Sequence, residues 1–311
     1  MKLTENNNVY KLTDEKRICK IIPDDCANLP EDILIPKKSY TPILISAEAY
    51  KNCTTSEYVF KEYPNENYAL KMVVDIPKTP KQSRGYPFVI WVHGGAWANG
   101  STNAFKNQSQ YFASKGIAGV RITYSLKKHG GHFEMGMQEL DEAVQFIKSH
   151  ATDWGLDIKN FGFAGGSAGT PLSSLAAMKF SDKGCKLYIG CNGIYDFINN
   201  RQGRFCGGKT LKNKYLENIT DLNAISTINH IPKDKKQIPA VVLFHGTADT
   251  TISYNQSVAF HKMIIAHEGL SEIHLYPFYA HAFFNKNASD AYEDVTLKMF
   301  DFANKIFEKS R

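Results

Sequence analysis

The chain has 311 residues, 43% hydrophobic and 22% charged, with a formal net charge of +6. That balance builds an ordinary globular core and excludes a disordered chain. No run approaches the roughly 18 apolar residues of a membrane span, and scattered lysines with no nucleic-acid motif beside them exclude a nucleic-acid partner. Residues 1–8 lack the apolar core of a signal peptide, and a leader removed ahead of them would leave the same start. The six cysteines (Cys19, Cys26, Cys53, Cys185, Cys191 and Cys206) form two clusters with no C-x-x-C pair. They leave two readings open. One is disulfides of a secreted or periplasmic protein, which the clustering favours over a cytoplasmic one; the other is free buried thiols. No metal and no cofactor is expected, and nothing in the sequence sets the oligomeric state.

Residues 1–53, broken by Pro23, Pro30, Pro36 and Pro42, show no sustained period. They predict an N-terminal arm wrapping the domain, with Ile43 to Ile45 tucked against it. Glu57–Phe60 and Tyr68–Ile76 are rich in β-branched and aromatic residues and read as an antiparallel pair joined by a Pro-Asn turn. From Phe88 the rhythm changes. Phe88–Val92, Ile117–Tyr124, Phe161–Ala164, Leu187–Cys191, Ala240–Phe244 and Glu272–Tyr276 are short apolar runs. Helical stretches are predicted over Phe105–Lys115, Phe133–His150, Pro171–Phe180, Tyr254–His267 and Asp290–Lys309. Apolar strands alternating with helices predict an α/β fold, a mostly parallel sheet of about eight strands covered on both faces. The whole chain, 1–311, reads as one domain. Residues 197–235 do not fit the alternation: dominated by Asn, Lys, Arg and Gly, they predict a polar inserted flap near the active site.

Gly165-Gly-Ser-Ala-Gly169 falls between the Phe161 strand and the following helix. Gly-x-Ser-x-Gly at such a corner is the nucleophile-elbow pattern, in which a strained turn lifts the serine hydroxyl above the sheet. A serine needs a histidine to take its proton and a carboxylate to orient that histidine, and in an open parallel sheet such groups stand at the carboxyl ends of strands. Asp249 ends the Ala240 strand, and His281 lies in the loop before the last helix. The order Ser167, Asp249, His281 fits.

The other histidines read otherwise. His150, His261 and His267 predict surface positions, and His230 lies in the inserted segment. His274 reads as a core or edge residue and His245 as a structural hydrogen-bonding group, while His129 and His132 have no carboxylate spacing that makes a metal pair. His93-Gly-Gly-Ala-Trp97 follows the Phe88 strand, where glycines let backbone N–H groups approach an oxyanion. Gly94 and Gly95, with Ala168 after the serine, are the candidate donors.

From about residue 55 onward the chain resembles the α/β-hydrolase superfamily, in its hormone-sensitive-lipase-like and bacterial feruloyl/acetyl esterase branch. The resemblance rests on His93-Gly-Gly-Ala-Trp97, Tyr124-Ser-Leu126, Gln138-Glu-Leu-Asp141, Gly165-Gly-Ser-Ala-Gly169, His245-Gly-Thr-Ala-Asp249 and Tyr276-Pro…His281-Ala-Phe283. It implies a Ser167/His281/Asp249 triad, an oxyanion hole at Gly94, Gly95 and Ala168, and the hydrolysis of esters. Two departures stand out: Ala280-His281-Ala282-Phe283 replaces the usual Gly-His-Gly-Phe, and Lys127-Lys-His-Gly-Gly131 replaces a Pro-Glu after the Tyr124 motif.

Trp97, Tyr124, Tyr195, Phe283 and Phe284 lie near motif ends and are candidates to line a substrate pocket. The inserted segment carries Arg201, Arg204, Lys209, Lys212, Lys214, Lys233 and Lys235, with Lys236 just beyond, against Glu217, Asp221 and Asp234. A basic rim favours an anionic sugar ester. The expected substrate is therefore a small-molecule or oligosaccharide ester, with an acetyl or feruloyl group on plant-type polysaccharide in view. A prolyl-oligopeptidase-type peptidase and a general lipase or thioesterase are the alternatives.

Overall fold

The computed structural model describes residues 9–10, 35–36, 45, 47–79, 83–198, 213–286 and 288–310. Most of the N-terminal arm and residues 199–212 of the insertion lie outside them, as do Cys19, Cys26 and Cys206. Within the arm, Val9–Tyr10 pairs antiparallel with Ile35–Pro36.

Eight strands form one sheet: β1 (Cys53–Tyr63), β2 (Tyr68–Pro77), β3 (Tyr86–Val92), β4 (Ala118–Ile122), β5 (Leu156–Gly166), β6 (Cys185–Cys191), β7 (Ala240–Gly246) and β8 (Ser271–Tyr276). Their spatial order is β8-β7-β6-β5-β3-β4-β2-β1. The expected hairpin, β1 and β2, is antiparallel, β2 also meets β4 antiparallel, and every other pairing is parallel. Every residue of β3 is buried, as befits a strand covered on both faces.

Five main helices cover the sheet: α1 (Lys106–Ser114), α2 (Phe133–Trp154), α3 (Thr170–Lys179), α4 (Asn255–Ala266) and α5 (Tyr292–Lys309). The two-residue period of β3 divides them. Phe88, Ile90 and Val92 join a core with Leu140, Val144 and Ile147 of α2, Leu172 and Leu175 of α3 and Phe260 and Ile264 of α4. Val89 and Trp91 join Phe112 of α1 and Val295, Met299 and Phe302 of α5 on the other face. Leu140, Val144, Ile147 and Ala151 recur at helical spacing, so one stripe of α2 is dry. His132 caps its first turn by accepting from Met135 N.

Cys53, Cys185 and Cys191 are buried free thiols. Burial pushes the Cys185 thiol up to about 12, which leaves it inert at neutral pH.

An ion pair fastens the sheet to the loop between β3 and α1. Arg121 of β4 grips Asp75 of β2 through Nε (2.8 Å) and Nη2 (3.2 Å), and both side chains are almost fully buried. Asp75 also accepts from Thr55 Oγ1 and Ser109 Oγ, while Arg121 Nη1 donates to Thr102 O. Stripping one member leaves an uncompensated buried charge, so Asp75→Ala should destabilise the fold by about 3–5 kcal/mol in urea titration. A loss below about 1 kcal/mol, the ceiling for a typical surface pair, would show that this pair is solvated.

Candidate active site

The elbow forms as the sequence predicts. β5 ends at Gly166, Ser167 turns at φ 51, and a single 3-10 turn over Ser167–Gly169 leads into α3. A non-glycine residue in the left-handed region is strained, and the turn is held from several sides. Thr170 Oγ1 donates to Ser167 O at 2.6 Å and accepts from Ile194 N at 2.9 Å. The turn also lies against β3: a Cβ on Gly169 would strike the carbonyl oxygens of Val92 and His93.

The three widely separated residues meet. His281 Nε2 lies 2.9 Å from Ser167 Oγ, and His281 Nδ1 lies 2.7 Å from Asp249 Oδ2. The carboxylate only accepts, so Nδ1 carries the proton and Nε2 is left to accept from the serine. Asp249 is fixed on both oxygens. Oδ1 accepts from Thr251 N (2.8 Å) and Ile252 N (2.9 Å), and Oδ2 also accepts from Asn192 Nδ2 (2.6 Å). Burial alone would raise the Asp249 pKa, but hydrogen bonds from His245 and His281 and the charges beside it hold it well below the usual carboxylate range. The Asp249 side chain is 0% exposed and that of His281 22%, so the chain of groups runs from a dry carboxylate outward to a half-buried hydroxyl.

Two of the candidate donors, Gly94 and Ala168, lie beside Ser167. Ala168 N–H opens the first turn after the elbow, where no intrahelical acceptor exists. A Cβ on Gly94 would stand 2.6 Å from Gly166 O and 3.0 Å from Ser167 Cβ, so only glycine fits there. Gly95 lies at φ 111, with Ala96 and Trp97 at φ 53 and 56. This strained loop is tied down by Tyr124 OH donating to His93 O (3.0 Å), Lys127 N to Trp97 O (2.9 Å) and Asn213 Nδ2 to Ala96 O (3.3 Å). Buried Glu139 holds the Tyr124 loop in turn, accepting from Ser125 N (2.7 Å), Ser125 Oγ and Tyr63 OH (2.6 Å).

The aromatic candidates are part of the packing around the site: Phe284 lies against Gly166, and Tyr124 OH reaches His93 O. Trp97, Tyr124, Tyr195, Phe283 and Phe284 are all buried, and their rings pack against other rings. Tyr195 stacks on Phe260 of α4 and belongs to the core. Trp97 stacks on Tyr215, 5.4 Å between centroids. That contact and Asn213 set the described part of the insertion against the Gly94–Trp97 loop, while Tyr215, Leu216, Ile225 and Ile231 are buried in the main core. A groove of about 730 Å³ lies between this segment and the Phe133–Asp141 and Leu175–Lys179 faces of α2 and α3.

Of the histidines, His261 overturns its surface expectation: it is buried and hydrogen-bonds Ser271 Oγ across to β8. His150 is half-buried and stacks on Trp154. His245 is structural, as expected, set between Ser257 Oγ and Ile252 O. His274, held neutral by burial, pairs with Glu272. His93 is also kept neutral, its pKa pushed down to about 4 by burial. Among the described residues no cluster could hold a metal ion. Sequence reasoning missed Asn192, whose only signal was its place directly after β6.

A family model described as BD-FAE matches residues 74–264. The chain belongs to the BD-FAE family. Within the α/β-hydrolase superfamily this BD-FAE protein stands among the serine esterases, and a dienelactone hydrolase family model matches residues 224–307. It is similar to an acetyl esterase of Salmonella dublin, 25% identical over 230 residues that cover 66% of this chain and 69% of that one. An acetyl esterase of Salmonella schwarzengrund is 24% identical, covering 68% and 72%. The solved structure of Thermogutta terrifontis esterase 2 phosphoramylated by tabun shares the fold, with TM-score 0.69 and 23% identity over 81% of this chain and 94% of that chain.

The depressed Asp249 pKa has a consequence for this BD-FAE protein. A carboxylate held low in the folded state contributes stability above its unfolded pKa of about 3.9, and that stability is lost as pH falls below it. Unfolding free energy in urea should therefore drop from about pH 4 downward, and Asp249→Asn should show a shallower acid slope. Equal slopes would place the acid sensitivity elsewhere.

Proposed function

We propose that this carboxylic ester hydrolase removes short acyl groups through an acyl-enzyme on Ser167, with acetyl esters of a carbohydrate alcohol as its substrates. The Ser167–His281–Asp249 chain at 2.9 and 2.7 Å is the observation that carries the reading. Ser167 Oγ attacks the ester carbonyl carbon while His281 Nε2 takes its proton. The carbonyl oxygen becomes an oxyanion facing the N–H groups of Ala168, Gly94 and Gly95, and Asp249 stabilises the imidazolium. As the intermediate collapses, His281 returns the proton to the departing alkoxide. Water then enters, gives a proton to His281 and releases the acid by the same route.

Three things support a small acyl group. The rings nearest the Gly94–Trp97 loop are closely packed, with Trp97, Tyr124 and Tyr215 stacked or edge-on to one another. The curated relatives are named acetyl esterases, and a solved neighbour is described as butyrate bound. For the alcohol, the support is the lysine-rich insertion. Lys214 is exposed between Asn213, which donates to Ala96 O, and Tyr215, which stacks on Trp97. Lys233, Lys235 and Lys236 are exposed too but precede β7, at the sheet edge opposite the triad, while Arg201, Arg204, Lys209 and Lys212 lie outside the described residues. A feruloyl group remains the longer alternative within the same chemistry.

Ser167→Ala should lower kcat by several orders of magnitude, on the order of 10⁶ for a serine triad, whereas His274→Ala should cost far less than His281→Ala. Near-wild-type turnover by Ser167→Ala would refute the acyl-enzyme. On nitrophenyl esters, kcat/KM should be highest for acetyl and fall through butyryl to feruloyl. On acetylated acidic oligosaccharides it should fall as salt rises past about 0.15 M, where the screening length is about 8 Å. Salt-independent rates would remove the charged sugar from the proposal.

A further inference from the structure

Asn192 stands at the carboxyl end of β6 and is fully buried. Its N–H donates to Phe244 O of β7 at 2.9 Å, and its backbone lies in the left-handed region at φ 47. Asparagine tolerates that conformation better than most residues. Strain kept at a strand end above a reactive site points to function.

The side chain supplies a reason. Nδ2 lies 2.6 Å from Asp249 Oδ2, the same oxygen that receives the Nδ1 proton of His281 at 2.7 Å. Because a carboxylate only accepts, the amide must turn its NH₂ toward it. Oδ1 is then left buried with no hydrogen-bond partner among the described residues. An amide that satisfies one carboxylate while its own oxygen goes unsatisfied is oriented by that carboxylate, since the surrounding core offers its oxygen nothing. The other groups on Asp249 are His245 of β7, whose Nε2 is 3.3 Å from Oδ2, and the N–H groups of Thr251 and Ile252 on Oδ1. His245 Nε2 shares its proton between Oδ2 and Ile252 O, the nearer acceptor at 3.0 Å. Asn192 is thus the side-chain donor most fully committed to Oδ2 beside His281.

We infer that Asn192 is a positioning residue for the reaction. It fixes the Asp249 carboxylate in the plane that His281 needs, and it shares the negative charge that would otherwise fall wholly on the imidazole. The inference rests on the ester-hydrolysing reading of Ser167, His281 and Asp249.

Two substitutions test it in opposite directions. Asn192→Gly adopts the same φ without strain and removes the donor. More unshared negative charge beside His281 favours the imidazolium, so the acid limb of the kcat/KM profile should move to higher pH. The loss of a hydrogen bond to a charged group should lower kcat about ten- to hundredfold with KM little changed. Asn192→Asp keeps the size and also tolerates this backbone, but two carboxyls at that distance cannot both ionise. The new group donates only while the pair retains a proton, so kcat/KM should fall with rising pH through a limb that wild type lacks.

The experiment is a set of pH profiles with nitrophenyl acetate for wild type, both variants and Ser167→Ala, with thermal melting to confirm folding. Changed profile shapes in the stated directions support the inference. Profiles parallel to wild type in folded variants overturn it, because packing alone would lower activity uniformly at every pH. Should Asn192→Gly not fold, the near-isosteric Asn192→Asp carries the test alone. Wild-type activity in Ser167→Ala would instead overturn the triad reading itself, a result distinct from any profile of the Asn192 variants.

Discussion

The backbone of Ser167 is the constraint on which the site depends. A serine at φ 51 stores on the order of 1–3 kcal/mol of strain, which only an over-determined surrounding can hold. The surroundings provide it from three elements: the carbonyl ends of β3 below, the Thr170 hydroxyl on the Ser167 carbonyl, and the Gly94 backbone alongside. Relaxing that turn would swing the hydroxyl away from His281. The glycines around it are therefore consequences of close approach and not loose punctuation.

A second layer holds the first. The Gly94–Trp97 loop is itself strained, and its anchors come from far apart in the chain: Arg121 through Thr102, Tyr124, Lys127 and Asn213. The buried Asp75–Arg121 pair and the Glu139 cluster are the foundations of those anchors. Charge is placed by depth. The carboxylates that must stay ionised are dry and saturated with donors, while the groups that would meet substrate are half-open to water.

The fold and the Ser167, Asp249 and His281 candidates were legible because their signals are local. Apolar runs mark strands, and the ends of those runs mark the carboxyl edge of a parallel sheet. Asn192 was not legible, since its meaning depends on β6 lying beside β7, a fact of tertiary pairing. His261 misled for a related reason: its helix looks polar in sequence, yet its ring is covered by β8. Trp97, Tyr124, Tyr195 and Phe283 lie near motif ends, and each packs against another ring. In the insertion, scattered apolar residues among polar ones, Tyr215, Leu216, Ile225 and Ile231, seat the described part of the segment in the core. Ala282, standing where the related pattern has glycine, takes φ 65; the left-handed turn is kept even without the residue that adopts it freely.

The pairing of Ser167 with His281 spans 114 positions of sequence, and the strands beneath them pair across the sheet in an order unlike their order in the chain. Contacts of that range slow folding, because the loop-closure entropy must be met before they stabilise anything. The core is built the same way, joining residues as far apart as Val89 and Phe307. Turnover therefore requires β7, β8 and the elbow after β5 to be assembled in one sheet.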